Sequence, residues 1–184
     1  MLIDTNLSQN QLNQPRLSLE SSQTPTVGPL EFKDAMASLA FSIAIVTASH
    51  SNEQTGRTVT SFMPLSVEPP LIVISIDARS RLVDLIVAGR SFSLSFLSPG
   101  QETVGDGFAG RWPQAVRFSL SDWTYWPSGN PRLAGARLCM DCEMVSSIDA
   151  GDHILFVGAL IEIDALDEGE LLIWNQRAYS VLRR

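Results

Sequence analysis

Several stretches of this 184-residue chain combine residue types that could do chemistry. Gly105-Asp-Gly107-Phe-Ala-Gly110 has the glycine spacing of a dinucleotide-binding turn, and Cys139-Met-Asp-Cys142 sets two thiols at a redox or metal spacing. Arg79-Ser80-Arg81 precedes an apolar, helix-like run, and His153 stands in GDHILFVG, just after a turn. The run TVTSFMPLSVEPPLIVISID spans Thr58 to Asp77. It joins small hydroxyl residues, a bend expected at Pro64, a stiff Pro69-Pro70 turn and the apolar strand Leu71–Ile76. Small side chains allow close approach to a backbone edge, and hydroxyls and free N–H groups can bond what lies there. A cofactor lying against the chain needs that combination.

Two of these motifs fail on context. A dinucleotide-binding glycine turn requires a strand directly before it and a helix opening from it. Here Arg111-Trp112-Pro113 follows, and proline resists continuing a helix. The cysteines fall in a strand-like alternation, where residues three apart point to opposite faces. Their thiols diverge and no second pair completes a four-ligand zinc site. Cys142 is expected in the core and Cys139 as a bystander. No nucleophile elbow or phosphate-binding P-loop is present, and His50 reads as exposed in a polar turn. His153 fits either a histidine bonded at a strand end or a functional group. Arg79, Ser80 and Arg81 fit either an ordinary capped helix with solvated charges or a phosphate site, since helix starts offer free N–H groups and the positive dipole end.

The elements that must position these residues are mostly strands. Phe32, Ala35, Met36 and Leu39 have helical spacing, so Glu31–Ala40 reads as an amphipathic helix. Ser42–Ser49, Arg57–Met63, Leu71–Ile76, Phe92–Leu97, Arg137–Val145, His153–Ile163 and Leu171–Trp174 read as strands. In Arg137–Val145, Leu138, Met140, Cys142 and Met144 face one way and Arg137, Cys139, Asp141 and Glu143 the other. A short helix is expected after Ser80 as N-cap, with Leu82, Leu85 and Ile86 on its apolar face and Gly89 as its stop. Pro99–Phe108 reads as helical, residues 111–131 as loop with a short strand, and Asp149–Asp152 as a turn. Strands follow strands without regular intervening helices, which predicts a mainly antiparallel β barrel or sandwich.

Composition sets the limits. Residues 1–28 are rich in Gln, Asn, Ser and Thr and read as a flexible tail, leaving 29–184 as one domain. A hydrophobic fraction of 45% supports a real core. A net charge of −7 argues against nucleic acid and against an anionic membrane surface. The opening residues carry no secretory pattern, no apolar run could span a bilayer, and two cysteines make no disulfide framework. A cytoplasmic protein is expected.

The stretches FKDAMASLAFSIAIVTA, TVTSFMPLSVEPPLIVISID, ARSRLVDLIVAGRSFSLSFL and GDHILFVG occur in that order over about Glu31 to Tyr179. In order and spacing the chain resembles the short-chain flavin reductases, the reductase components of two-component flavin-dependent monooxygenases. The resemblance implies a mainly β, split β-barrel fold (the Greek-key, FMN-binding barrel) with a few short helices, working as a homodimer. It implies NAD(P)H:flavin oxidoreductase activity on FMN or FAD, with NADH or NADPH as hydride donor and reduced flavin passed to a partner monooxygenase. Flavin would be held by Thr58, Val59, Thr60 and Ser61 with Ser66 close by. Its phosphate and ribityl end would be held by Asp77, Arg79, Ser80 and Arg81, with Phe108, Ala109 and Gly110 near the ring. His153 would stand at the nicotinamide side as the catalytic-site histidine. No metal is implied. Leu82, Ser95 and Met63-Pro64-Leu65 depart from the family's common choices. A non-catalytic flavin- or haem-binding split barrel is the alternative, since fold alone does not fix function.

Overall fold

The computed structural model describes residues 22–181, so most of the expected tail, residues 1–21, lies outside the described residues. The first element is helix α1 (Pro29–Ala37), followed by β1 (Phe41–Ser42), β2 (Ala44–His50), β3 (Glu53–Val59), β4 (Phe62–Ser66) and β5 (Leu71–Asp77). Helix α2 (Arg81–Gly89), β6 (Ser91–Phe96), α3 (Glu102–Asp106), a wide turn over Gly107–Arg111, and α4 (Gln114–Arg117) come next. The chain ends with β7 (Trp123–Tyr125), β8 (Pro131–Leu133), β9 (Leu138–Ala150), β10 (His153–Ala165), β11 (Leu172–Asn175) and β12 (Ala178–Val181). Every strand pairing is antiparallel.

The main sheet has seven strands in the order β3-β2-β6-β9-β10-β5-β4. Its two edge strands, β3 and β4, are consecutive in the chain and separated only by Thr60 and Ser61. Two residues span at most about 7 Å of extended chain, so the sheet must curl until its edges meet at that corner. The expected bend at Pro64 is therefore displaced. Pro64 lies inside β4, beside a register shift between Pro64 and Ser66, and the chain turns at Thr60–Ser61. An edge strand tolerates Pro64 because its missing N–H takes nothing from a ladder.

The inside of the curl is filled by α2. Leu82, Val83, Leu85 and Ile86 are its buried residues, and they pack with Ile74, Ile76, Phe92, Phe156 and Met144. Ser80 caps α2 by accepting a 3.4 Å hydrogen bond from the Leu82 N–H. Gly89 is not the left-handed stop; Arg90 is, at φ 51°. Gly89 is needed for close approach instead, because a Cβ there would stand 2.8 Å from the Ser49 carbonyl oxygen. Leu82 is fully buried, so it serves the core in this chain.

A second apolar cluster lies on the opposite face, with Ile43, Ile45, Leu97, Phe108, Trp126, Leu133, Cys139 and Leu172. The β7–β8 hairpin and β11 cover that face, so β2 and β6 are buried on both sides and lose the alternation of a half-exposed strand. Cys139 is thereby corrected from bystander to core residue, only 3% exposed. The two thiols do diverge, one into each cluster, and burial pushes the Cys142 thiol up to about 12. Ser95 is likewise internal; it accepts from the Leu133 N–H at 3.2 Å and ties β8 to β6.

Sequence patterns missed β8 and β12 and underran β9 and β10, each of which runs 13 residues. The β11–β12 hairpin turns through Gln176 and Arg177, both at positive φ (50° and 60°). That is the two-residue primed turn, made here without its usual Asn or Gly. Helix α1 begins at Pro29, two residues earlier than its apolar spacing indicated, with proline supplying the N-terminal φ. It buries none of its residues in this chain.

Asp141 is the one acidic residue among the buried polar groups of the described chain. Its Oδ1 accepts from Ser128 Oγ at 2.9 Å and Asn130 Nδ2 at 3.2 Å, pinning the loop before β8 to β9. Burial, which outweighs these bonds, raises its pKa. A carboxyl raised in this way holds its proton more tightly folded than unfolded. Its contribution favours the native state below the ordinary aspartate value, about 3.9, and is lost as pH rises through the raised value. Asp141→Asn should therefore gain on the wild type in melting temperature as pH rises above the ordinary aspartate value, at about 2–4 °C per kcal/mol for a chain this long. A pH-independent difference in thermal melts would show that Asp141 does not titrate in this range.

Candidate functional site

The Thr60–Ser61 corner opens onto a cleft of about 270 Å³. Ile43, Arg57, Thr58, Val59, Thr60, Asp106, Ala109, Arg111, Trp174 and Tyr179 line it. One wall is the end of β3, an edge strand whose outer backbone groups face no further strand. Thr58 is held in place as its Oγ1 donates to the Gly105 carbonyl at 2.6 Å. The opposite wall is aromatic, with Trp174 and Tyr179 edge-to-face at 5.0 Å between centroids. At the rim, Tyr179 donates its hydroxyl to Asp106 Oδ1 at 2.9 Å, and Arg111 donates to Asp106 Oδ2 at 2.8 Å. Burial first, then the Asp106 carboxylate, hold the Tyr179 phenol above its usual range, so it stays a neutral donor.

Strand register carries the corner to a second group. Ser61 accepts from the Ser75 N–H at 2.9 Å, prolonging the β4–β5 ladder. Two residues further along β5, Asp77 lies opposite His153 at the start of β10. Asp77 accepts from Arg79 Nε at 3.1 Å, from its Nη2 at 2.9 Å and from its backbone N–H at 2.9 Å. These hydrogen bonds hold the Asp77 carboxyl far below the usual range. His153 is half-exposed, with Nδ1 at 2.8 Å from Asp152 Oδ1. An ionised carboxylate can only accept, so Nδ1 carries the proton in that contact and Nε2 is the nitrogen left for other partners.

The expected site residues thus divide. Thr58, Val59, Thr60 and Ala109 share the cleft, and Gly110 adjoins Ala109 in the exposed turn at φ 99°. Ser61, Asp77, Arg79, Ser80 and His153 lie at the neighbouring end of the sheet. Ser66 stands at the far end of β4, five residues and about 17 Å of strand from Ser61. Arg81 turns away and forms a double ion pair with Glu53 (2.6 Å) and Asp84 (2.8 Å). The Phe108 ring is 1% exposed; it packs on Phe118 and Trp123 and against the position a Gly56 Cβ would take. Arg57, Asp106, Arg111, Trp174 and Tyr179 were missed, because they come from three segments far apart in the chain and no local motif groups them. Only the letter-match around Gly105–Gly110 pointed at Asp106, and there it indicated the wrong chemistry.

The residues fit a flavin. The cleft offers a free strand edge with small hydroxyl residues, an aromatic wall and an open glycine turn above. Residues 36–183 match the family model for the flavin reductase like domain. The chain belongs to that family. It is 32% identical over 151 residues to the reductase component of 4-hydroxyphenylacetate 3-monooxygenase from Thermus thermophilus, covering 82% of this chain and 95% of that protein. It is 33% identical over 163 residues to an NADH-dependent flavin reductase from Rhodococcus, covering 86% and 89%. Among solved structures, the NADH:FAD oxidoreductase SgcE6 of Streptomyces globisporus, in complex with NAD and FAD fragments, superposes with a TM-score of 0.79 at 25% identity, covering 87% and 98%.

Gly105 packs directly against the aromatic wall. A Cβ there would stand 2.6 Å from the Tyr179 hydroxyl oxygen and 3.1 Å from Leu97 Cδ1. Gly105→Ala should cost about 1–3 kcal/mol in denaturant unfolding. Tyr179→Phe removes the nearest atom, so the double variant should lose less than the sum of the two single losses, by about 0.5 kcal/mol or more. Strict additivity would show that the hydroxyl is not what Gly105 accommodates.

Proposed function

We propose that this chain is an NAD(P)H:flavin oxidoreductase that reduces FMN or FAD and supplies reduced flavin to a partner monooxygenase. One observation carries the reading. The curled antiparallel sheet brings the Thr58–Ser61 corner, the Asp77–Ser80 helix entry and His153 to one end of the fold, beside an open cleft. Bound flavin and nicotinamide supply the hydride chemistry, and the protein's part is binding, orientation and electrostatics.

The backbone N–H groups at the Thr58–Ser61 corner would hold the flavin ring and favour negative charge on it. Ala109 and Gly110 would meet the ring from the neighbouring turn. Asp77 locks Arg79 by the pair described, so Arg79 and the Ser80 cap meet the phosphate or ribityl end as one rigid unit. Asp152 orients His153, whose Nε2 would hold and orient the nicotinamide. Hydride transfer needs no general base from the chain.

Residues 29–184 act as one split-barrel domain. Two buried, unbridged thiols suit a reducing compartment such as the cytoplasm, and no helix among the described residues is long and apolar enough to cross a membrane. Leu30, Phe32 and Met36 of α1, Met63 and Leu65 of β4, and Ile161 and Ile163 of β10 expose large apolar side chains. A second copy of the chain covers these faces in a homodimer.

Purified protein should oxidise NADH or NADPH at 340 nm only when FMN or FAD is added; no activity with any pairing would refute the reductase reading. A coloured protein inert toward both nicotinamides would support a non-catalytic binder instead. His153→Ala should raise the KM for the nicotinamide roughly tenfold while leaving the flavin dissociation constant within about twofold. Unchanged kinetics would remove His153 from the site. In sedimentation the wild type should run at twice the 20.1 kDa chain mass, and Leu30→Glu with Phe32→Glu should shift it toward monomer. A wild-type monomer would end the dimer proposal.

A further inference from the structure

The sites above leave two guanidinium groups unexplained. Arg57 lines the cleft, and α4, which carries Arg117, meets β3 through one side-chain contact that leaves Arg117 within reach of the Arg57 charge. Gln114 Nε2 donates to Thr55 Oγ1 at 3.3 Å. Thr55 and Arg57 are two apart on β3 and share a face. Gln114 and Arg117 are three apart on α4 and share a side. That hydrogen bond brings the side of α4 that carries Arg117 to the face of β3 that carries Arg57. Arg117 is further held as its Nε donates to the Trp112 carbonyl at 3.2 Å.

Five other described arginines are matched with carboxylates: Arg79 with Asp77, Arg81 with Glu53 and Asp84, Arg111 with Asp106, Arg132 with Asp164, and Arg177 with Asp34, while Arg90 and Arg137 donate to backbone carbonyls. Arg57 and Arg117 have no carboxylate partner among the described residues. Burial and the neighbouring charge of Arg57 both work against the charge on Arg117. Two like charges held together at the mouth of a cleft, in a chain of net charge −7, raise the local potential for anions.

We propose that Arg57 and Arg117 form a binding site for a phosphate group of the nucleotide that occupies the cleft. The assignment rests on the reductase reading, which supplies phosphate-bearing ligands. A phosphate carries up to two negative charges and presents oxygens to two guanidinium forks at once, whereas a carboxylate neutralises one. Bound between Arg57 and Arg117, it replaces their mutual repulsion with two charge-assisted contacts. This site is separate from the Asp77–Arg79–Ser80 group, which stands at the neighbouring end of the sheet. The cleft would then hold its nucleotide from two sides, by the aromatic pair Trp174–Tyr179 and by the arginine pair.

The test uses the full chain and the variants Arg57→Gln, Arg117→Gln and their combination. Arg57 is exposed and Arg117 half-buried, so neither change removes core packing, and equal melting temperatures will confirm folded protein. Flavin binding is read by fluorescence for riboflavin, FMN and FAD, and KM is read for NADH and NADPH. The double variant should weaken at least one phosphate-bearing ligand roughly tenfold or more. Riboflavin, which has no phosphate, should be unaffected, and the difference should shrink in about 0.5 M salt. FAD weakened with FMN spared assigns the adenosine diphosphate of FAD, and both weakened equally assigns the flavin phosphate. NADPH weakened beyond NADH assigns the 2′-phosphate, and both weakened equally assigns the nicotinamide pyrophosphate. If all phosphate-bearing ligands stay within about twofold of wild type, or riboflavin weakens as much as they do, the phosphate site is refuted. Failure of the reductase reading would look different, because the wild type itself would then oxidise neither nicotinamide.

Discussion

Two residues, Thr60 and Ser61, join strands that lie at opposite edges of a seven-stranded sheet. That short covalent link forces the sheet to curl, and the rest of the structure follows from the curl. It creates an inside, which α2 fills with Leu82, Leu85 and Ile86. It leaves the outer face of β2 and β6 to be covered by the β7–β8 hairpin and the C-terminal strands. It also leaves an unpaired edge at the end of β3, where a ligand can take backbone hydrogen bonds that no strand takes. A longer loop would let the edges separate and the cleft lose its wall.

The two apolar clusters are energetically distinct supports for the same sheet. The inner one, around Ile74, Phe92 and Phe156, holds the curl closed. The outer one, around Ile45, Phe108 and Leu133, fixes the turn that carries Ala109 and Gly110 over the cleft. Polar groups stitch the outer layer down at definite points. Trp126 Nε1 donates to Ser93 Oγ at 2.8 Å, Thr47 Oγ1 to the Pro131 carbonyl at 2.6 Å, and Asn130 Nδ2 to Ser91 Oγ at 3.0 Å. Each bond spans more than thirty residues of sequence, and each satisfies a group that burial would otherwise penalise. The turn over the cleft therefore has a defined height because the layer beneath it cannot slide.

Charge is distributed unevenly over this scaffold. At the sheet end near His153, Arg79 is neutralised by Asp77, and His153 is fixed by Asp152. At the cleft mouth Arg111 is neutralised by Asp106, while Arg57 and Arg117 are not neutralised by any carboxylate described. An overall acidic protein thus keeps two arginines without a carboxylate beside the cleft, while Arg90 and Arg137 are tied to backbone carbonyls.

Local chemistry was legible in the sequence: the strand character of most segments, the Ser80 cap, the divergence of Cys139 and Cys142, and the family resemblance carried by Thr58–Asp77 and GDHILFVG. Those readings depend on neighbours a few residues apart, and periodicity and capping report such neighbours directly. The tertiary structure alone decided that Cys139 is core, that Gly89 yields to a carbonyl rather than to a turn, and that Ser66 and Arg81 stand apart from Thr58–Ser61. It alone joined Asp106, Arg111, Trp174 and Tyr179 into one wall and set Arg117 beside Arg57. The reason is physical. Which faces are buried and which charges meet depend on the direction in which a sheet closes, and that direction is set by contacts between segments tens of residues apart.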